Sequence, residues 1–277
     1  MFINSIRMQV NALVKRKNVA AVYFAMLILV LINYLGNVLK YRGSDLMTMV
    51  HPMKLVLLSD YSALGFYFMQ YFPFVVIIPA AFSFISDKNS KEITYIRSRV
   101  GARNYYYGKL IAVFIVTFFV FTIPLLIDVA INCIAFPMNA TGDPSNLRSY
   151  DFTYIEGVWK YLFSDLYVFN SYLYTIVMTL LFGGISGFLA TFCLAMTMFS
   201  FMKYKIIAFL PVYALLYVLQ IAVKSVEQIR FTSNYFEYLR FYTAYPKSEA
   251  AYILTAIVLL LICVLLVEIK SRKDTLE

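Results

Sequence analysis

Ser186 is the side chain of this protein most open to reading as a nucleophile, because it stands in the run Gly184-Ile185-Ser186-Gly187. A serine that attacks a carbonyl needs a histidine base within hydrogen-bond reach. The chain holds one histidine, His51, and it lies in a different segment. Packing is the simpler expectation, since Gly183 and Gly187 let a neighbouring helix approach closely and Ser186 can bond across helices or to its own backbone. The run from Gly101 to Gly108-Lys109-Leu110 has the outline of a phosphate loop. Its glycines are spaced too widely, however, and Leu110 cannot ligate magnesium as Ser or Thr would. Asp128 is a carboxylate within an apolar stretch, with Asn132 one turn on, a pattern that serves either an ion path or a buried hydrogen-bonding residue. Cys133, Cys193 and Cys263 all lie in or beside apolar stretches, as small hydrophobes do, and predict neither disulfides nor a metal site. No catalytic residue, metal ligand or nucleotide site is expected in the chain.

The elements that must position these residues are helices of membrane length. Hydrophobic residues make up 62% of the 277 residues and charged residues 14%, against roughly 45–50% and about 25% in soluble domains. Six apolar stretches are expected to cross the bilayer as helices, at 19–39, 63–86, 110–135, 171–202, 206–223 and 250–268. The second and fourth exceed a perpendicular crossing, and Pro73, Pro79, Pro124 and Pro211 are candidate kink sites. Residues 1–277 read as one membrane domain with no appended soluble domain. The apolar run at 19–32 continues without a cleavage site and is expected to be a retained first helix.

Orientation follows from the basic residues. Arg7, Lys15, Arg16 and Lys17, the six Lys and Arg of 87–109, Lys203 and Lys205, and Lys270, Arg272 and Lys273 all fall on one side. The basic residues of the other loops are fewer, spread over greater length and offset by acidic ones. The positive-inside rule therefore predicts a multi-pass protein of the plasma membrane with both termini cytoplasmic. The net charge of +9 is a topology signal and does not call for nucleic acid.

Three shorter segments complete the layout. Residues 1–18 predict an amphipathic surface helix, with Phe2, Ile6, Val10 and Leu13 on one face and Arg7, Asn11 and Lys15 on another. Outside, residues 155–169 place Ile155, Val158, Trp159, Leu162, Leu166 and Phe169 on a stripe opposite a Glu156–Lys160 pair, which predicts an interfacial helix. An aromatic segment from Tyr235 to Tyr245 precedes the sixth span. The cytoplasmic loop 87–109 predicts a short separate helix, N-capped by Asn89 with Glu92 three residues on, carrying Arg97 and Arg99 in its last turn and stopped by Gly101. Its apolar side is Ile93, Tyr95, Ile96 and Val100.

A loop with Glu92, Arg99, Gly101, Arg103, the cluster Tyr105–Tyr107 and Lys109 at the mouth of the next helix resembles that of the ABC-2 permeases, the membrane subunits of type-2 ABC exporters. The overall layout resembles theirs too. The resemblance implies an all-α polytopic fold of six transmembrane helices with an N-terminal interfacial helix, a cytoplasmic coupling helix between spans two and three, and an outer helical hairpin before span six. It also implies a bacterial permease subunit, not itself an enzyme, that exports a hydrophobic or amphipathic substrate such as a bacteriocin peptide or a lipid. ATP and magnesium would be held by a separate cytoplasmic ABC ATPase dimer, and a second permease subunit, identical or not, would complete the pore. Glu92, Arg97, Arg99, Gly101 and Arg103 would then contact the ATPase or hold the coupling helix. The substrate path would run along Tyr67, Gln70, Tyr71 and Phe74 of span two and Tyr213, Tyr217 and Gln220 of span five. Two rival readings remain: an ion-coupled secondary transporter built on Asp128, and an intramembrane serine protease, because Gly184–Gly187 also resembles the rhomboid motif.

Overall fold

The computed structural model describes residues 2–45, 49–90, 92–137, 160–199, 206–224, 234–243 and 246–276. Among them every regular element is helical, and Ser59 and Phe241 form an isolated parallel bridge. Helix α1 (Phe2–Val14) turns Ser5, Gln9 and Leu13 inward and leaves Phe2, Ile3 and Val14 exposed. Of the expected apolar stripe, Leu13 is buried, Val10 packs partly against the core, Ile6 is half-buried and Phe2 is exposed. Polar side chains also hold the helix. Ser5 Oγ donates to the Asn104 carbonyl at 3.4 Å and Gln9 Nε2 to the Tyr105 carbonyl at 3.0 Å. Gly108 makes the approach possible, since a Cβ there would lie 2.9 Å from Ser5 Oγ.

Helix α2 (Lys17–Lys40) buries Val19, Val22, Met26, Val30 and Asn33, one stripe of helical spacing. A 3-10 turn at Pro52–Leu55 follows. The second apolar stretch is not one continuous helix. Helix α3 (Ala63–Val75) is capped by Ser62, whose hydroxyl accepts from Gly65 N–H at 3.0 Å, and it ends two residues after Pro73. Residues 76–82 proceed through turns, including Pro79, which has no N–H to carry a helix forward, before α4 (Ser83–Asn89). Helix α5 (Glu92–Val100) and α6 (Ala102–Ala135) come next. The 34 residues of α6 span about 51 Å at 1.5 Å per residue, so this helix outreaches a hydrocarbon core of about 30 Å.

Of the outer helix expected over 155–169, residues 155–159 lie outside the described residues, 160–163 form a turn with Phe163 at φ 56°, and the helix α7 covers Ser164–Phe169 alone. Asn170 caps α8 (Ser171–Thr197), its side chain accepting from Tyr172 and Leu173 N–H. Residues 200–202 of the fourth expected span, with Lys203 and Lys205, also lie outside the described residues. A 3-10 turn at Ile207–Phe209 leads into α9 (Leu210–Lys224). Pro211 sits in its first turn, where a missing N–H costs least, and is not a mid-helix kink. Of the outer hairpin, the described residues supply one turn, α10 (Tyr235–Tyr238), and α11 (Glu249–Leu276) is the last helix.

Among the described residues four helices are long and apolar enough to cross a bilayer: α2, α6, α8 and α11 over Glu249–Asp274. With no strand among the described residues, this is an all-α chain of membrane-protein character. Helix α6 is the hub, with α8 along it and α1, α2 and α11 around it. Close contact between α6 and α8 depends on absent side chains: a Cβ at Gly183 would lie 1.9 Å from Thr122 Oγ1, and one at Gly187 2.7 Å from the Phe114 ring. Phe72, Phe121 and Phe182 fill the interior beside this seam, with the Phe72 and Phe182 ring centres 5.0 Å apart. At the far end, the buried loop 52–58 is held by side chains that satisfy its backbone. Asn33 and Asn37 donate to the Leu55 carbonyl at 2.9 and 2.8 Å, and Leu57 N–H donates to Asp128 at 2.6 Å.

Candidate functional site: a charged helix junction and an aromatic cavity

One end of the bundle gathers α1, α5, the base of α6 and the last turns of α11. Helix α5 is separate, as expected, although Asn89 is the last residue of α4. Gly101 stops it: its N–H donates to the Arg97 carbonyl at 2.9 Å, and its φ of 84° is a conformation that a side chain makes costly. The next residue begins α6, so a single glycine joins α5 to the longest helix. Ile93 is buried and Ile96 packs partly inside, whereas Tyr95, expected on the same face, is 74% exposed.

Three carboxylates organise this end. Asp87 on α4 is buried and accepts from Lys109 Nζ at 2.6 Å, from the Tyr105 hydroxyl at 3.1 Å and from Arg16. It thereby ties the α1–α2 junction, α4 and α6 together. Asp274 on α11 accepts from Lys270 at 2.8 Å, from Arg97 Nη1 at 3.2 Å and from the Tyr106 hydroxyl. Arg97 Nη2 also donates to the Asp274 carbonyl at 3.0 Å, and its guanidinium lies over the Tyr106 ring. A third carboxylate, Glu268, meets Tyr107 at 2.9 Å, Arg272 at 3.0 Å and Arg103 at 3.5 Å. Of the residues expected to serve coupling, Arg97 and Arg103 are thus engaged with α11, while Glu92, Arg99 and Gly101 are exposed. Asp87, Glu268 and Asp274 were not singled out by their sequence, because their partners lie far along the chain.

The expected path residues come together in part. A cavity of about 460 Å³ is lined by Gln70, Tyr213, Tyr217 and Gln220, joined by Phe66, Tyr235 and Phe236 among others. Phe74 stacks on Tyr213 with ring centres 5.8 Å apart, and Tyr213 stacks on Tyr217. Tyr67 and Tyr71 are instead 60% and 62% exposed, off the cavity. Beside it, Arg240 pairs with Asp60 at 2.9 Å and lies over the Phe236 ring, while Lys247 Nζ donates to the Arg240 carbonyl. Enclosure of its ammonium pushes the Lys247 pKa down to about 7, with Glu237 and Asp60 resisting the shift. Glu237, on the cavity wall, is raised by burial.

The residues that resembled catalytic groups have structural duties. Ser186 Oγ donates to the Phe182 carbonyl at 2.8 Å within its own helix. His51 meets Ser171 through Nε2 at 3.2 Å, while its Nδ1 accepts from Met53 N–H at 3.2 Å. In the neutral ring, an accepting Nδ1 leaves the proton on Nε2, so this histidine donates to Ser171 and cannot deprotonate it. Burial, and secondarily Lys54, lower its pKa to about 4 and keep it neutral. Asp128 is fully buried, with Asn132 donating to it at 2.9 Å, and serves as an anchor for the loop at Leu57. Gly108 and Lys109, the tail of the phosphate-loop outline, contact α1 and Asp87. Among the described residues the three cysteines are free and no group of His, Cys, Asp and Glu is arranged to hold a metal.

No family model matches the chain, and neither a curated protein nor a solved structure matches it.

Proposed function

We propose that this chain is the membrane-spanning permease subunit of an ATP-driven exporter, powered by a separate cytoplasmic ATPase and paired with a second permease subunit. The observation that carries the reading is the build of α5. It is a short helix linked through one glycine to α6, with Arg97 bound to α11 and its outer surface exposed. A helix so braced transmits a push as displacement, where a flexible loop would absorb it. In this reading α3 through α4 makes the second crossing and 207–224 the fifth, for six in all, with both termini cytoplasmic in the plasma membrane. The aromatic cavity then belongs to the path of a hydrophobic or amphipathic cargo, a peptide or lipid, because stacked rings with a few amide groups favour bulky ligands over small ions.

The test is made on the protein purified with whatever ATPase accompanies it in its native membrane. Reversing Arg97 and Arg99 to Glu, or replacing Gly101 with Pro, is expected to leave the complex assembled but to abolish substrate-stimulated ATP hydrolysis. Unchanged stimulation in assembled variants overturns the coupling role. Transport or cleavage by the chain alone overturns the reading as a whole.

A further inference from the structure

The helices α1, α2 and α6 enclose a groove of about 390 Å³ that has no part in the cavity described above. Its wall is made by Val14, Ala20, Tyr23, Phe24, Phe119 and Ile123 among others, and Tyr23 carries the one polar group in that wall. Phe24 and Phe119 are exposed, and so are Phe2, Ile3 and Val14 on the adjoining side of α1. A helix held to its protein through Ser5, Gln9 and Leu13 has its exposed apolar residues Phe2, Ile3 and Val14 available for hydrocarbon.

Charge lies at one end of the groove. Lys15, Arg16 and Lys17 form the junction of α1 and α2, between the wall residues Val14 and Val19. Lys15 and Lys17 are exposed, and Arg16 is joined to Asp87, which Lys109 and Tyr105 also bind. The sequence has no acidic residue before Asp45. The first turn of α2 adds the positive end of its helix dipole to the same corner.

We infer that this groove binds an anionic phospholipid, with one acyl chain against α2 and α6 and the headgroup phosphate at Lys15 and Lys17. The site is independent of transport and requires only that the chain be embedded in a bilayer. An apolar slot alone would accept any lipid; the two lysines select the charge. Cations at a membrane surface attract anionic headgroups strongly enough that two of them give a preference on the order of tenfold.

The experiment uses the full chain in mild detergent, equilibrated with equimolar phosphatidylglycerol and phosphatidylcholine, with retained lipids counted by native mass spectrometry. The expected result is one retained phosphatidylglycerol, roughly tenfold over phosphatidylcholine. In Lys15→Glu/Lys17→Glu, lipid is still retained but the preference is gone. In Ala20→Trp, which fills the slot from an exposed position on α2, the retained lipid is lost whatever its headgroup. Monodisperse elution and an unchanged unfolding temperature in lipid-free detergent confirm that each variant is folded. Equal retention of the two lipids by the unaltered protein overturns the inference, as does undiminished phosphatidylglycerol on Ala20→Trp.

Discussion

Lys109 and Asp87 form an ion pair with both side chains buried, and its worth lies in the penalty for breaking it. Lys109→Met leaves a buried carboxylate with Arg16 and Tyr105 as its remaining partners and is expected to cost about 3 kcal/mol. Adding Asp87→Leu should recover much of that loss, since a buried pair is often replaceable by apolar side chains. Unfolding of the two variants in detergent, followed by circular dichroism, checks both. At the helix seam the expectation is a contrast. Gly183→Val forces atoms onto Thr122 and is expected to cost about 1–3 kcal/mol, whereas Gly184→Ala, with open space around it, should be neutral or slightly stabilising. His51 sets a pH window. Its folded pKa of about 4 lies below the ordinary 6.5, so between these values the unfolded chain binds the extra proton. The contribution of the neutral ring is therefore complete above pH 6.5 and is lost as pH falls toward 4. Unfolding temperatures measured from pH 7.5 to 4 should fall more steeply for the native chain than for His51→Gln.

Among the elements, α1 depends on its polar side. Gln9→Leu removes the bond to the Tyr105 carbonyl and is expected to raise amide hydrogen exchange across residues 2–14 while leaving α8 unchanged. This helix also shows where sequence reading stops. Phe2, Ile6, Val10 and Leu13 announced a helix, but how its sides are shared between protein and surroundings was hidden, because Gly108 and two backbone carbonyls some 100 residues on help decide it. The second and fifth expected spans show the same limit: their apolar runs were legible, while the turns at 76–82 and the late start of α9 depend on local backbone geometry that hydropathy does not encode. Gly101 was legible as a stop, since few residues accept φ of 84°. Arg97 was legible as a feature of the short helix but not as a partner of Asp274, since no local pattern links residues so far apart.

For the molecule as a whole, the basic residues of one end predict its side of the membrane. With Cys133, Cys193 and Cys263 changed to Ala, a Ser98→Cys variant should react with a membrane-impermeant maleimide only after cells are opened, and Val168→Cys should react on intact cells. Both side chains are exposed in the chain itself, so the bilayer decides from which side the reagent reaches them.

The tie between Arg97 and Asp274 has a consequence for how the protein is made. A ribosome adding 5–20 residues per second needs roughly 10–35 s to travel between them. Throughout that interval α5 has emerged without its brace, and a nascent chain that stalls within the final helix leaves Arg97 and Tyr106 with no acceptor. The charged junction at this end of the bundle therefore closes only once the last helix has been made.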